Sequence, residues 1–383
     1  MLSFPDELMK ARRLSPKEAA RAAKRSGYAP LLSNGANAAA LRETHAPLPQ
    51  QGTSALQEFV HAQDPTLRYI VLQGDAFDLI DALPPNSIDL VITSPPYWGL
   101  RTYDFKHDWD IGKVWKEDGH TIDQVPPYDW YRRHGGVLGL EPTPEWYVGH
   151  IAEIFNKLSR PLKPLGNLWL NIGDTYFARW ASIRPSGRQG LAGPERFRRK
   201  TPMGGFRQEK NLLLIPSRIA IALQDQRWIL RNDLIWFKPN VPPRPDKDRL
   251  RLAHEHFFHF VKRPKEGRAK YFYDKTTTEP GDTDVITCPC RPGENGHSAT
   301  FPAALIRPRI LSSCPTGGVT LDPFCGSGRA IVEAVKSGRR AIGFDLSQEF
   351  AASSAVAAQQ AAMQGNLCLT PSANGSATAP TPS

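Results

Sequence analysis

Cysteine is scarce in this chain, and its number and spacing exclude two classes of protein. The 383 residues include five cysteines, an odd number, which argues against a disulfide framework and favours a reducing compartment. The segment Cys288-Pro289-Cys290 is not a C-x-x-C pair, and the other cysteines show no metal-ligand spacing. No metal site is therefore expected.

Long apolar runs are also absent. No segment reaches the roughly 18 apolar residues of a membrane span. The N-terminal residues include Asp6, Glu7 and Lys10 and lack the apolar centre of a signal peptide. We therefore expect a cytoplasmic protein with no membrane partner.

Acidic residues are outnumbered by basic ones, which gives a formal net charge of +10 at pH 7. A positive excess of this size favours a polyanionic partner, most often nucleic acid, over a merely basic protein. The charge is concentrated in residues 177–211, where nine Lys or Arg residues accompany only two acids. We interpret this insertion as a set of phosphate contacts, with a solvated surface loop as the alternative.

From about residue 66 the chain alternates predicted strands with predicted helices. Residues 69–75 form a strand that ends in Asp75, residues 76–83 a short helix, and residues 88–92 a buried strand. This unit favours an α/β fold with a parallel sheet, in which ligands bind at the carboxyl ends of the strands. Further predicted strands cover 167–172, 228–238 and 256–262, and further predicted helices cover 144–158, 215–226, 301–313 and 347–364.

The two ends of the chain are predicted to lie outside the main domain, which spans residues 66–365. Residues 1–65 are an N-terminal extension, partly helical (16–25) and partly a disordered linker (31–54). Residues 366–383 consist mostly of small and polar residues and are predicted to be a disordered tail.

The predicted strand over 88–92 is followed by Thr93-Ser94-Pro95-Pro96-Tyr97-Trp98. Neither proline can donate a backbone hydrogen bond, so the sheet ladder must stop here and the tip must be rigid. The tip presents the Ser94 hydroxyl, the Pro95 and Pro96 carbonyls and the Tyr97 ring. These groups can accept hydrogen bonds from an amino group and stack on a flat ring, although a plain proline-rich turn is the alternative.

A glycine-rich unit lies near the C-terminus. A predicted strand (319–322), the loop D-P-F-C-G-S-G (322–328) and a helix precede a second strand, 340–345, that ends in Asp345. Glycines let a ligand approach the backbone closely, and an acid at a strand end can bind both hydroxyls of a ribose. Asp345 lies 17 residues after Gly328, close to the spacing of a nucleotide-binding half-unit.

This loop differs from the phosphate-binding glycine loops. It lacks the G-K-[S/T] of a P-loop and the third glycine of the dinucleotide fingerprint, and Asp322 would repel a phosphate. A cationic ligand with a ribose and no phosphate fits better, which points to S-adenosylmethionine. A glycine-rich turn without a ligand is the alternative.

Taken together, T-S-P-P-Y-W (93–98) and D-P-F-C-G-S-G (322–328) resemble the amino-methylating DNA methyltransferases of bacteria and their phages. The supporting pieces are G-D-A (74–76), L-I-W-F-K-P-N (234–240), H-E (254–255) and T-F-P-A-A-L (300–305). Because the catalytic motif precedes the cofactor motif, the chain resembles the circularly permuted group called β. The resemblance implies a Rossmann-like S-adenosylmethionine-dependent methyltransferase fold with a seven-stranded sheet, and residues 66–365 as its catalytic domain.

The resemblance also implies roles for the matching residues. Ser94 and the Pro95 carbonyl would accept hydrogens of the target amine, Pro96 would complete the motif, and Tyr97 would stack on the base. Asp345 would bind the ribose hydroxyls of the cofactor. The residues that would hold its methionine part are Asp322, Phe324, Gly326, Ser327 and Gly328, and those that would line its adenine or methionine side are Asp75 and Phe301. No covalent nucleophile is required, so Cys325 is interpreted as a packing residue, and Asp89, inside a strand, as a structural one.

The target base is predicted from Ser94. Asp or Asn at this position is typical of N6-adenine members, whereas Ser resembles the N4-cytosine members, so we predict N4-cytosine, with N6-adenine as the alternative. The base would be flipped out of double-stranded DNA. Target recognition is expected from the loop insertions 240–298, 99–143 and 177–211. An RNA methyltransferase and a catalytically silent DNA-binding module are further alternatives, and a homodimer and a companion restriction endonuclease stay open.

Overall fold

The structure, a computed structural model, describes residues 50–62, 64, 66–99, 105–183, 197–241, 247–278, 283–290 and 302–367, with the backbone course alone for 50–53, 180–183, 197–199 and 365–367. The helix predicted over 16–25, the candidate cofactor residue Phe301 and the tail from residue 368 lie outside the described residues.

Helices and strands alternate along most of the described chain. The first half contains α1 (Gln50–His61), β1 (Tyr69–Gln73), α2 (Ala76–Ala82), β2 (Ile88–Thr93), α3 (Ile111–Glu117), α4 (Tyr128–Arg133), α5 (Pro144–Lys157) and β3 (Leu162–Ile172). The second half contains β4 (Trp180–Ile183), β5 (Phe197–Lys200), α6 (Ile215–Asp225), β6 (Trp228–Phe237), β7 (His254–Lys262), β8 (Val285–Thr287), α7 (Ala303–Ser313), β9 (Val319–Asp322), α8 (Arg329–Lys336), β10 (Arg340–Asp345) and α9 (Gln348–Leu367).

One large sheet organises the chain, with the strand order β1-β10-β9-β2-β3-β7-β6-β8. The first five strands are parallel, β7 is antiparallel to β3, and β6 is antiparallel to β7. The predicted α/β fold is thereby confirmed. The sheet has eight strands where the resemblance implied seven, because β8, inside the predicted loop insertion 240–298, pairs in parallel with the end of β6.

Helices cover both faces of this sheet. One buried cluster joins β-strand side chains to α1, α2, α5 and α6, and a second joins the opposite side chains to α7, α8 and α9. Strand β2, in the middle, is buried along its whole length. This burial explains its near-continuous apolar sequence, since a parallel strand covered on both faces has no solvent side.

The ordered domain begins earlier than the sequence predicted. Helix α1 starts inside the segment assigned to a linker, and its Leu56 and Phe59 are only 0% and 4% exposed against the core. The guanidinium of Arg340 donates to the Phe59 carbonyl and fixes the end of the helix to β10. Residues 50–61, which were predicted to belong to the N-terminal extension, therefore pack against the core of the domain.

The insertion 99–143 is not the loop that was predicted, because it contains α3 and α4. Trp115, Tyr128 and Tyr131 are buried in the core, with exposures of 7%, 4% and 0%. These three aromatic side chains therefore pack in the core and are not available for contact with a DNA duplex. Such a cluster is hard to predict, since two helices of seven and six residues are too short to show a clear helical period.

The basic insertion 177–211 contains the antiparallel strands β4 and β5. Some of its basic side chains form ion pairs with acids of this chain. Arg207 is 5% exposed and pairs with Asp123 at 2.8 Å and with Glu145 at 3.3 Å. Lys210 pairs with Asp248 at 2.6 Å. The phosphate contacts predicted for this insertion therefore cannot include Arg207, and for its other basic residues they stay a prediction.

Candidate active site

The two sequence motifs meet at one edge of the sheet. Strands β2 and β9 are parallel neighbours, so the segments that follow their carboxyl ends lie side by side. Thr93 Oγ1, at the end of β2, donates to Asp322 Oδ1, at the end of β9, over 2.6 Å. This buried hydrogen bond links residues 229 positions apart and joins the S-P-P-Y tip to the glycine-rich loop.

Two hydrogen bonds from other segments of the chain fix the position of the S-P-P-Y tip after β2. Tyr147 on α5 donates from its phenol to the Pro96 carbonyl over 2.8 Å. The indole N–H of Trp98 donates to the Glu141 carbonyl over 3.0 Å. Because these bonds add to the stiffness of two consecutive prolines, the backbone around Ser94 has a fixed position at the sheet edge.

Ser94 and Tyr97 share a cluster of polar side chains from three strands. The Ser94 hydroxyl lies 3.2 Å from Tyr97 Oη, which lies 2.8 Å from Glu255 Oε2 on β7 and 3.0 Å from Asn171 Oδ1 on β3. Lys238, directly after β6, forms an ion pair with the same Glu255 carboxylate. Burial, with the charge of Glu255 as a second cause, raises the pKa of Tyr97 well above its ordinary value, so this side chain remains a phenol.

Gly173 makes room for this cluster. A Cβ atom at this position would lie 2.9 Å from Cε2 of the Tyr97 ring and 3.3 Å from Cγ of Glu255. Both distances are shorter than normal contacts between carbon atoms. The glycine directly after β3 therefore lets the Tyr97 ring and the Glu255 stem lie against the backbone.

The sequence did not assign roles to these partners of Tyr97. Lys238 and Glu255 belong to L-I-W-F-K-P-N and H-E, which supported the family resemblance without a function. Asn171 and Gly173 carried no signal beyond their place at the end of a predicted strand. Only the pairing of β3, β7 and β6 brings the four together.

The glycine-rich loop is closed by the end of β10. The amide of Gly326 donates to Asp345 Oδ2 over 2.8 Å, and the amide of Ser347 donates to Oδ1 over the same distance. The amide of Cys325 donates to the Phe344 carbonyl over 2.8 Å. The predicted loop residues and Asp345 therefore form one unit.

The two glycines of this loop serve different purposes. Both are left-handed, with φ of +50° at Gly326 and +77° at Gly328. A Cβ atom at Gly328 would lie 2.3 Å from Ser354 Oγ and 2.9 Å from its Cα, so this glycine lets α8 and α9 pack closely. A Cβ atom at Gly326 would meet nothing within 4 Å among the described residues, so this glycine borders open space that a ligand can enter.

The acids around this space favour a cation. Burial raises the pKa of Asp322 to about 7 and that of Asp345 to about 6, and no cationic side chain among the described residues counteracts this shift. Asp322 Oδ1 accepts from Thr93 and from the Phe324 amide, whereas none of the described residues donates to its Oδ2. The residues present therefore fit a cationic ligand that also offers hydroxyl groups.

Two further predicted cofactor residues, Asp75 and Phe324, make contacts with neighbouring side chains or backbone. Asp75 follows β1, the neighbour of β10, but it caps α2 by accepting from the Phe77 amide over 2.8 Å. The phenol oxygen of Tyr128 lies 3.4 Å from Asp75 Oδ2, and burial raises the pKa of Asp75. The ring centroids of Phe324 and Phe155 on α5 lie 6.5 Å apart.

Two residues have surroundings that fit the roles expected of them. Cys325 is 5% exposed, burial raises the pKa of its thiol well above the ordinary value, and its Sγ lies 3.1 Å from where a Cβ at Gly343 would be. Asp89 accepts from Lys163 and from the Val319 amide, both at 2.8 Å. Within the described ranges, no group of three or more His, Cys, Asp or Glu side chains could hold a metal ion.

Comparison with known proteins identifies the family to which the chain belongs. A family model described as DNA methylase, covering the N6 and N4 enzymes, matches residues 88–356. This chain belongs to that DNA methylase family. The matched region contains both motifs, β2 through β10, and the polar cluster around Tyr97.

Individual relatives agree with the assignment of this DNA methylase. Type II methyltransferase M.XycI of Xanthomonas campestris pv. cyanopsidis is 34% identical over 288 residues, which cover 73% of this chain and 84% of the relative. Type II methyltransferase M.SmaI of Serratia marcescens is 32% identical over 291 residues, covering 73% and 87%. Among solved structures, PvuII DNA methyltransferase (cytosine-N4-specific) aligns with a TM-score of 0.53 at 18% identity, covering 78% of this chain and 92% of that one.

The structural likeness confirms the Rossmann-like methyltransferase fold. The order of motifs along the chain also fits the predicted permutation, because β9 and β10 come last in sequence yet lie between β1 and β2 in the sheet. No helix in the described part of the chain is long and apolar enough to cross a membrane.

Proposed function

We propose that the chain transfers a methyl group from S-adenosylmethionine to the exocyclic N4 amine of a cytosine flipped out of double-stranded DNA. One observation carries the proposal: the S-P-P-Y tip and the glycine-rich loop lie at the ends of neighbouring strands, joined by the bond between Thr93 and Asp322. Methyl transfer needs donor and acceptor side by side, and this arrangement supports that requirement.

S-adenosylmethionine is the methyl donor, and the loop 322–328 is its proposed site. Asp322 Oδ2, to which none of the described residues donates, is the proposed contact for the ammonium of its methionine part. The open space at Gly326 is proposed to admit the ligand, and Asp345 is proposed to bind the ribose hydroxyls. When bound, this cofactor supplies an electrophilic methyl group on a sulfonium. Phe324, Ser327 and Gly328 complete the proposed loop site, with Asp75 and Phe301 on its adenine or methionine side.

The target amine is proposed to lie against Ser94. The lone pair of an exocyclic amine is delocalised into the base ring, so acceptors that attract its hydrogens make the nitrogen more nucleophilic. The Ser94 hydroxyl and the Pro95 carbonyl are the proposed acceptors, and the Tyr97 ring is proposed to stack on the base. The rigid backbone of Pro95 and Pro96 holds these acceptors in place. A base paired inside a duplex cannot reach this tip, which is why the base must be flipped out.

Ser94 is the reason to propose cytosine rather than adenine. A serine at this position resembles the N4-cytosine members, whereas N6-adenine members typically have Asp or Asn there. PvuII DNA methyltransferase, which is described as cytosine-N4-specific, shows that the same fold supports this chemistry. The Type II relatives further support a sequence-specific enzyme that works beside a companion restriction endonuclease.

Methylation-aware sequencing of DNA from cells that express the chain tests the proposal. We expect N4-methylcytosine at one short recurring sequence, and no such mark in cells that express Ser94→Ala. Adenine methylation at the recurring site would contradict the base assignment and favour the N6-adenine alternative. A mark confined to RNA, or none from a chain that binds DNA, would favour the RNA methyltransferase or the silent module.

A further inference from the structure

Glu255 is a largely buried acid beside the target site, and the proposed methyl transfer assigns it no role. It lies at the start of β7, its side chain is 15% exposed, and it contacts the Tyr97 phenol at 2.8 Å. Its ion-pair partner Lys238 is 10% exposed. A pair of charges withdrawn this far from water is costly to bury, which calls for a reason beyond stability.

The hydrogen bonds around Tyr97 have only one consistent direction. A carboxylate oxygen can only accept, and Asn171 Oδ1 also accepts, because the amide nitrogen of Asn171 donates to the His256 carbonyl over 3.0 Å. Tyr97 Oη thus faces two acceptors with its single proton, and it must donate that proton toward them. Ser94, at 3.2 Å, is therefore the donor to Tyr97.

This direction determines what Ser94 offers to a ligand. A serine hydroxyl beside an amine can either donate or accept. Because the hydroxyl proton of Ser94 is directed to Tyr97, its oxygen presents lone pairs to the site. The charge on Glu255 maintains this direction through Tyr97, at a distance of two hydrogen bonds.

We propose that Glu255 is a positioning residue that fixes Ser94 as a hydrogen-bond acceptor and receives, through Tyr97, the proton released by the methylated amine. The inference rests on the proposed function, since it concerns the same amine at the same tip. It adds a route for the proton, which leads away from the cofactor loop toward the β6–β7 hairpin.

The step balances in atoms and charge. The nitrogen lone pair forms the new N–CH3 bond, the S–CH3 bond breaks with its electrons on sulfur, and the nitrogen carries one surplus proton. That proton passes to Ser94 Oγ as the Ser94 proton passes to Tyr97 Oη and the Tyr97 proton passes to Glu255 Oε2. The positive sulfonium and the negative carboxylate are replaced by a neutral thioether, a neutral methylated base and a neutral Glu255, which later returns the proton to solvent.

Lys238 is the ion-pair partner of Glu255. Among the described residues, the titratable groups that interact with the Glu255 carboxylate are Lys238, directly after β6, the Tyr97 phenol and the Cys290 thiol. Of these, only Lys238 is a cationic side chain, and it forms an ion pair with the Glu255 carboxylate. Burial raises the pKa of Cys290, so this thiol stays neutral.

Glu255→Gln tests the proposal, because it keeps the shape of the side chain and removes its capacity to take a proton. At saturating cofactor and duplex DNA, we expect the single-turnover rate to fall by about 100-fold or more, the scale of general-base contributions. Dissociation constants for cofactor and DNA should stay within about twofold.

The double variant Lys238→Met/Glu255→Gln separates this role from a structural one. Glu255→Gln alone leaves Lys238 buried without its partner, which could slow the enzyme through poor folding. The double variant removes both charges, so a structural role predicts recovery of the rate, whereas our proposal predicts that it stays slow. Glu255→Asp retains a carboxylate and should recover part of the rate. A wild-type rate in Glu255→Gln or in the double variant would overturn the proposal.

Titration of the Tyr97 phenol provides a readout that needs no activity. The ultraviolet difference between the wild type and Tyr97→Phe isolates this phenol at alkaline pH. Glu255→Gln should lower the pKa of Tyr97, because the charge that opposes its ionisation is gone. An unchanged titration would show that Glu255 does not act on Tyr97. If the wild type methylates adenine, the base assignment fails while the same rate ratios, measured on adenine, still support or overturn the role of Glu255.

Discussion

Replacing Asp322 by Asn should stabilise the free chain and weaken its binding of S-adenosylmethionine. Both hydrogen bonds that Asp322 accepts, from Thr93 and from the Phe324 amide, end on Oδ1. An asparagine oxygen can take that place and keep both bonds. The substitution therefore removes the charge and changes the atom at Oδ2, which is the proposed contact for the cofactor's ammonium.

The expected size of the stabilisation follows from the pKa of this carboxyl group. Burial raises that pKa from 3.8 to about 7. At about 1.4 kcal/mol for each unit of pKa, the ionised carboxylate costs the folded state about 4 kcal/mol at pH 8. Asn carries no charge, so Asp322→Asn should raise the free energy of unfolding by up to about 4 kcal/mol there.

The stability that Asp322→Asn gains over the wild type should increase as the pH rises. Because the folded-state pKa is raised, the folded chain binds more protons than the unfolded chain between pH 3.8 and about 7, and the wild type loses stability as pH rises through this window. The difference between Asp322→Asn and the wild type should therefore widen by about 2 kcal/mol from pH 5.5 to pH 8. Cofactor binding should weaken about 10- to 100-fold, the worth of one hydrogen bond to a charged group.

Urea unfolding at both pH values and calorimetry of cofactor binding measure these effects. Asp225→Asn is the matched control, since Asp225 is exposed at the end of α6 and the same change there should stay within about 0.5 kcal/mol. A variant no more stable than the wild type, or a difference that does not change with pH, would refute the assigned desolvation. Unchanged cofactor affinity would refute the assigned contact.

Three glycine substitutions should separate packing from ligand binding. Gly328→Ala should lower the free energy of unfolding by about 2 kcal/mol or more in urea, because of its left-handed φ and the clash with Ser354. Gly326→Ala should cost only about 1 kcal/mol of stability, but calorimetry should show cofactor binding about tenfold weaker, because the new Cβ enters the open space. Gly173→Ala should leave cofactor affinity unchanged and slow single-turnover methylation about 100-fold by displacing Tyr97.

The sequence located the two halves of the site because their signals are local. A strand that runs into two prolines must end, and a strand followed by glycines and a later acid has a recognisable spacing. Parallel topology then predicts that both strand ends lie at one edge, and the bond between Thr93 and Asp322 shows how closely they meet.

The partners of Tyr97 could not be predicted in the same way. Glu255 lies 158 positions from Tyr97 in sequence, and their contact depends on the register of β3 with β7 and of β7 with β6. The motifs that contain Lys238 and Glu255 supported the family resemblance, but they did not predict that these side chains contact each other and Tyr97. A one-residue change of register would turn both side chains to the other face of the sheet.

The insertions 177–211 and 99–143 show that composition alone does not predict which side chains are buried. A run of Arg and Lys residues predicted surface charge, yet Arg207 is buried because Asp123 and Glu145, from earlier segments, neutralise it. Tyr131 was assigned to a loop and is completely buried. The acids that pair with Arg207 come from earlier segments, and Tyr131 packs against Trp146 and His150 of the next helix, so the local pattern could not reveal either burial.

The most direct test of the central claim is to identify the methylated nucleoside. Duplex DNA would be incubated with the chain and with S-adenosylmethionine carrying a deuterated methyl group, digested, and analysed by mass spectrometry, with single-stranded RNA in parallel. We expect deuterium-labelled N4-methyldeoxycytidine from the duplex and loss of the label with Ser94→Ala. Labelled N6-methyldeoxyadenosine as the only product would contradict methylation of cytosine.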